Sequence, residues 1–329
     1  MTETPPRLLL PHLDLAAEVR RISQWMLDAV VNRLHRRGCV VAISGGIDSS
    51  VCAALAVQAF GPGKVFGILM PEQDSSPDSL ARGQQLARHL GIAFEVHNLT
   101  PALTALGCYA VRDEAIRRVF PGYGGGWKSK IVIAGGTERG INFFKLVVQE
   151  PGGALHDKRL PVRDYLQIVA ATNFKQRLRK TYDYFHADRL NYAVVGTPNR
   201  LEYDQGFFVK NGDGTSDLKP IAHLYKTQVY RMARHLALPP DICSATPTTD
   251  TYTLEQGQDE FYFALPYAQM DLALWAHDAG CSAVDLAAAL DITEAQAALV
   301  YRDIQAKRKA ARYLHARPLL LDRLDAGLA

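Results

Sequence analysis

The chain has 329 residues, 48% of them hydrophobic and 22% charged, and carries a net charge of +3. That composition belongs to a globular protein with ample length for a large core, and so mild a positive balance gives no footing for a nucleic-acid-binding protein. The five cysteines include no Cys-x-x-Cys pair, which suggests neither a zinc site nor a disulfide framework and fits a reducing cytoplasm.

The start, MTETPPRLLLPHLD, has too short an apolar run for a signal peptide, and no later run approaches membrane-spanning length. Residues 12–36 carry apolar positions at helical spacing and end at Gly38. CVVAIS is a short continuous apolar run, as a buried strand requires. IDSSVCAALAVQAF reads as a helix closed by GPG, and KVFGILMP as a second strand. SSPDSLARGQQLARHLG is a helix with Ser76 as cap, Pro77 in its first turn and Gly91 at its end. AFEVHNL is a third strand. Strands alternating with helices predict an α/β fold with a doubly wound parallel sheet.

The rhythm breaks at residues 107–160, where GYGGGW, AGGTERG and PGG surround two short apolar runs. This segment is expected to be a glycine-rich insert with a β-hairpin, outside the main sheet and either walling or lidding the site, with Trp127 and Phe143 offering apolar surface, or forming a surface hairpin or a dimer contact. The glycines Gly122, Gly124, Gly125, Gly126, Gly135 and Gly136 suit tightly turned backbone. A long helix over about 163–186 and the strand NYAVVGT follow. After a polar stretch to Lys219 comes the helix LYKTQVYRMARHL, and then a helical segment over about 259–317 in which TEAQ has the form of a capping box. The whole is expected to be a single domain.

SGGIDSS, residues 44–50, carries the chemistry. A strand, a glycine-serine turn and a helix start form a ready anion site, because free N–H groups and the helix dipole, about half a positive charge, point at the ligand. There is no Walker lysine. Asp48 would repel a phosphate unless a cation lay between them, which points to Mg²⁺.

Ser-Gly-Gly-x-Asp-Ser after a first strand resembles the pyrophosphate loop of the ATP pyrophosphatase superfamily, an adenine nucleotide alpha hydrolase-like fold. Further blocks recur in the order seen in NAD synthetases: NFKQR at 173–177, GTPNRLE at 196–202, GFFVKNGDGTSD at 206–217, PIAHLYKTQ at 220–228, TPTTD at 246–250, DE at 259–260 and YAQMD at 267–271. The likeness runs over about 12–106 and 161–320 and fails across the insert. It implies that Ser44, Gly45, Gly46, Asp48, Ser49, Ser50, Thr197, Lys226 and Thr248 contact ATP, that Asp48 and Glu202 bind Mg²⁺, and that Arg177, Lys210, Asp217 and His315 contact the dinucleotide. Taken singly, Lys226 reads as a solvated lysine and Glu202 as a surface carboxylate. It is the ordered set that lifts them together.

The same resemblance implies an ammonia-dependent amide ligase. A carboxylate, most simply that of deamido-NAD, is adenylated by ATP and then aminated, with release of AMP and pyrophosphate. With the loop beginning at residue 44, no N-terminal glutaminase domain is expected, so ammonia would come free or from a separate glutaminase. A homodimer is implied, and neither nucleic acid nor membrane as partner. The alternatives are a related amide or amidine ligase on another carboxylate, a sulfur-transfer enzyme, and a nucleotide binder without catalysis.

Overall fold

The run CVVAIS becomes the middle of a parallel sheet. The computed structural model describes residues 8–134, 143–245, 252–254, 262 and 265–321. β1 (Cys39–Ala42) lies between β2 (Val65–Leu69) and β7 (Ala193–Val195), with β3 (Ala93–Val96) as the edge beyond β2. All three pairings are parallel. β1 is apolar on both sides because both are covered. Cys39 and Val41 join a core with Met26, Val51, Leu55, Val229 and Met232, contributed by the helices Leu15–Leu27, Ile47–Phe60 and Lys226–His235. Val40 joins a second core on the opposite face with Ile68, Leu99, Leu103 and Val194. The doubly wound arrangement read from the sequence is therefore present.

Several helix ends follow their capping residues. Ser76 accepts from the Asp78 amide at 3.3 Å to start Pro77–His89, and Thr293 with Gln296 forms the box that starts Glu294–His315. The long helix runs from Val162 to Leu190 and ends at Asn191, whose φ of 56° is left-handed. The single N-terminal helix expected over 12–36 is in fact Leu15–Leu27 followed by a π-helical turn, Asp28–Arg33.

The insert stays out of the parallel sheet, as expected, but holds more structure than a hairpin. It opens with the helix Cys108–Val119, then forms an antiparallel meander of β4 (Lys128–Ala134), β5 (Phe143–Gln149) and β6 (Leu155–Arg159). The helix hides in the sequence because a charged residue occupies a core position: Arg112 is 3% exposed and pairs with the buried Asp74. β6 hides because all five of its residues are exposed and show no alternation. Period-two geometry sets the inner face. Ile131, Leu146 and Val148 pack with Ala115, Ile116 and Ile168, and Ile133 and Phe144, paired across β4 and β5, continue that face toward the end of the sheet.

The chain's last helices, Tyr267–Asp278, Ala283–Leu290 and Glu294–His315, enclose a separate core of Met270, Leu274, Leu286, Val300 and Ile304. Leu201, at the start of the short helix Arg200–Gln205, is buried in the same core. This ties the segment that follows β7 to the C-terminal helices.

Candidate active site

Chain order places the site. The sheet grows from β1 to β2 and β3 on one side, and then returns to the other side as β7, so the crevice at the carboxyl ends of β1 and β7 is a topological switch point. A cavity of about 970 Å³ opens there.

Ser44, Gly45 and Gly46 form the floor between β1 and Ile47–Phe60. Gly46 is the N-cap and supplies no side-chain cap, which leaves helix-start amides for a ligand. Gly45 has φ 79°, and a Cβ there would lie 2.2 Å from the Ser79 carbonyl oxygen, so only glycine fits. The turn is fastened from within: the Gly46 amide donates to Ser44 Oγ at 3.2 Å and the Ser49 hydroxyl to the Gly46 carbonyl at 3.1 Å. Arg82 clamps it from outside, its Nε donating to the Gly45 carbonyl at 3.2 Å.

Beside this turn lies a buried network of four residues. Lys226, 1% exposed, pairs through Nζ with Asp48 Oδ2. Asn199, fully buried, donates from Nδ2 to Asp48 Oδ1 at 3.1 Å. The same asparagine caps the next helix: its Oδ1 accepts from the Glu202 amide at 3.1 Å, and its own amide donates to Glu202 Oε2 at 3.2 Å. Burial first, then the charge on Asp48, pushes the Glu202 carboxyl up to about 8. Burial alone would lower the Lys226 ammonium, but Asp48 and Glu202 outweigh it and hold the group above its ordinary value. Lys226 itself is fixed from below, since the buried Asp271 accepts from the amides of Lys226 at 3.2 Å and Thr227 at 2.8 Å.

The donor set suits a hard divalent cation. Two carboxylates share one buried corner, and the charge on Asp48 helps to push the Glu202 carboxyl up. An oxygen-seeking ion between them would remove that repulsion.

The structure brings most of the expected residues together. Ser44, Gly45, Gly46, Asp48, Ser49, Thr197, Lys226 and Glu202 line the cavity, as do Arg177 and Lys210 farther out. Three do not. Ser50 is fully buried, its hydroxyl donating to the Gly46 carbonyl at 2.7 Å. Asp217 holds the chain to β7, accepting from the Val194 amide at 2.7 Å and from the Tyr184 hydroxyl at 3.2 Å. His315 lies past the rim, its Nε2 2.9 Å from the Tyr203 carbonyl oxygen, while its neighbours Tyr313 and Leu314 reach the lining. Thr248 and the stretch 259–260 lie outside the described residues.

Sequence reading missed Asn199, Arg82, Lys180, Asp183 and Asp213, all of which line the cavity or bond to its floor. Asn199 had a signal, the Asn-x-x-Glu form of a capping box inside GTPNRLE. Lys180 and Asp183 pair at 2.7 Å on one side of the long helix, where the pattern KQRLRK gives no sign of which residues turn inward. The insert supplies Ile133 and Phe144 to the lining, with Phe144 stacked on Tyr165 at 4.1 Å between ring centroids. Trp127 is not in this lining and packs instead against Tyr123.

Comparison with known proteins gives the same picture. The family model described as NAD synthase matches residues 18–119 and 138–311, so the break at the insert is narrower than the motifs suggested. An NH(3)-dependent NAD(+) synthetase from Mesorhizobium japonicum is 56% identical over 94% of this chain and 97% of its own length. One from Thermotoga neapolitana is 34% identical over 74% of this chain and 79% of its own length. Among solved structures, NMN synthetase from Francisella tularensis superposes with a TM-score of 0.65 at 20% identity, covering 94% of this chain and 99% of that one. The NH3-dependent NAD synthetase from Campylobacter jejuni does so at 0.61 and 18%, covering 94% and 100%, and these two likenesses speak for the fold. A glycine turn without a Walker lysine, a buried acid pair beside it and a family match across both halves of the crevice agree: this chain belongs to the NAD synthase family.

Proposed function

We propose that the protein is an ammonia-dependent ligase that converts deamido-NAD to NAD at the expense of ATP. The observation that carries this reading is the buried network of Asp48, Asn199, Glu202 and Lys226 beside an uncapped helix start, in a chain 56% identical to a protein named for that reaction. In the first step a carboxylate oxygen of the dinucleotide attacks the α-phosphorus. An O–P bond forms, the bond to the β-phosphate oxygen breaks, and pyrophosphate leaves. In the second, the ammonia nitrogen attacks the acyl carbon, the C–O bond to AMP breaks, and a proton is lost from nitrogen.

The chain's own groups have distinct parts in this. The Ser44–Ser49 turn receives the phosphates through backbone amides and hydroxyls. Lys226 meets negative charge as it develops on the departing pyrophosphate. Asp48 and Glu202 would hold Mg²⁺, which when bound shields the phosphate charge. Arg177 and Lys210, at the outer part of the cavity, face the dinucleotide, and the aromatic wall of Phe144, Tyr165 and Tyr252 excludes water from a hydrolysable adenylate.

Two further features belong to this reading. A homodimer is supported by exposed apolar side chains on the long helix, where Val162 is 73%, Leu166 58% and Phe185 57% exposed. A cytoplasmic setting is supported by five free cysteines, and among the described residues no helix is long and apolar enough to cross a membrane. The chain folds as one domain carrying an insert. The deciding assay supplies nicotinic acid adenine dinucleotide, ATP, Mg²⁺ and ammonium, and identifies the products by mass spectrometry. NAD, AMP and pyrophosphate are expected. ADP as the nucleotide product, or no amide formed, overturns the reading.

A further inference from the structure

A second convergence of chemistry lies at the edge of the parallel sheet, away from the cavity lining. Glu95 is on β3, His97 follows its end, and His186 is in the last turns of Val162–Leu190. His97 Nε2 lies 3.0 Å from His186 Nε2 and 3.2 Å from Glu95 Oε2, and His186 Nε2 lies 3.9 Å from the same oxygen. Zinc with bonds of about 2.0–2.1 Å sets tetrahedral ligand atoms roughly 3.3 Å apart, and the three separations bracket that edge. Both rings are held without any ion. His186 is fully buried and stacks on Phe66 at 5.1 Å, His97 packs on Tyr182 at 4.8 Å, and the His97 amide donates to the Leu69 carbonyl at 2.8 Å.

Protons alone do not satisfy this triangle. Arg189 Nε donates to His186 Nδ1 at 2.9 Å, so the neutral His186 ring carries its hydrogen on Nε2. If His97 Nε2 accepts that hydrogen, it meets Glu95 Oε2 lone pair to lone pair. If His97 carries its own hydrogen on Nε2 for Glu95, two N–H groups meet at the His97–His186 contact. Each assignment leaves one short contact mismatched. A cation that accepts three lone pairs removes every mismatch within the triangle and moves the conflict out to the Arg189 contact with His186 Nδ1.

We propose that Glu95, His97 and His186 form a three-ligand site for a divalent transition metal of the zinc class, separate from the nucleotide site. Two imidazoles and one carboxylate select such an ion over Mg²⁺ or Ca²⁺. Arg189 then gives up Nδ1, which keeps the ring hydrogen. Its guanidinium, 37% exposed as a side chain, stays on Glu95 Oε1 at 2.8 Å, an outer partner for the ligating carboxylate. The exposed side of Glu95 leaves a fourth position for water. The ion would fasten β3 to the helix that carries Gln176, Arg177, Lys180 and Asp183 into the cavity.

The test uses the full chain stripped with a chelator and titrated with cobalt chloride in the absence of nucleotide. One equivalent of cobalt is expected to give the visible absorption of a tetrahedral or five-coordinate centre. Zinc chloride should displace it, and excess magnesium chloride should not. His97→Ala and Glu95→Gln, at the more exposed positions, should each abolish the saturable spectrum while circular dichroism stays unchanged, and His186→Ala should do the same if it folds. No cobalt spectrum, or a spectrum that survives either His97→Ala or Glu95→Gln, would overturn the assignment.

Discussion

The two sheets meet at one cavity and bring opposite chemistry to it. The parallel sheet delivers its strand ends: a glycine turn leading into a helix start that no side chain caps, and behind it a lysine, two carboxylates and an asparagine, all largely buried. The antiparallel sheet of the insert delivers a face, with Ile133 and Phe144 at the far end of a row that begins in its own core. The first contribution depends on groups that have each other as partners, so changing one disturbs the rest. The second depends on area and shape, where one side chain can change with little effect on its neighbours. Polar precision on one wall and apolar tolerance on the other predict different kinds of mutant.

The largest effect is expected at Asp48. Asp48→Asn keeps the size of the side chain but removes the charge opposite Lys226 and the proposed metal ligand. Turnover should fall by roughly 10²–10³-fold, the scale on which losing one preorganised electrostatic contact is felt. The check is AMP release at saturating Mg²⁺ and ATP. Turnover at the wild-type rate would show that Asp48 only anchors Lys226 and Asn199, and the contrast between the two walls would lose its polar half.

Phe144 sharpens the other half. Phe144→Ala removes a ring stacked on Tyr165, a contact worth about 0.5–1.5 kcal/mol beyond area. KM for the dinucleotide should rise about two- to twelvefold, converting that energy at 1.4 kcal/mol per decade, while KM for ATP stays put. If both constants rise together, the insert acts on the whole cavity and the division between the sheets is mistaken.

How much of this was legible follows the same division. The parallel sheet could be read because buried strands are apolar runs and because Ser76, Thr293 and the glycine turn mark helix starts by chemistry of their own. Asp48, Glu202 and Lys226 could be found only as a set in order, since each alone resembles a surface residue. Their burial comes from tertiary packing that no local pattern reports. The insert resisted for a related reason. Arg112 sits at a core position because Asp74, 38 residues away in sequence, neutralises it, and β6 has no buried face to show. Asp217 and His315 illustrate the converse. A motif marks a segment, but the side chain's direction depends on contacts such as Asp217 with the Val194 amide.

The smallest effect is expected where the insert carries an ion pair of its own. Lys145 on β5 lies 2.8 Å from Asp157 on β6, close to the separation of many buried pairs, but the side chains are 35% and 51% exposed. Water already solvates both ends, and two long side chains lose freedom to meet, so such pairs contribute about 0.2–1 kcal/mol at most and less in salt. Lys226 and Asp48 differ in that the lysine has almost no solvent to turn to, and removing one charge strands the other. Lys145→Ala should therefore shift the unfolding midpoint in urea only slightly, leave both KM values unchanged, and lose even that shift at high salt. A large, salt-insensitive destabilisation would mean that the outer strand of the insert is held by electrostatics after all. Exposure would then fail as the quantity that separates the two regions.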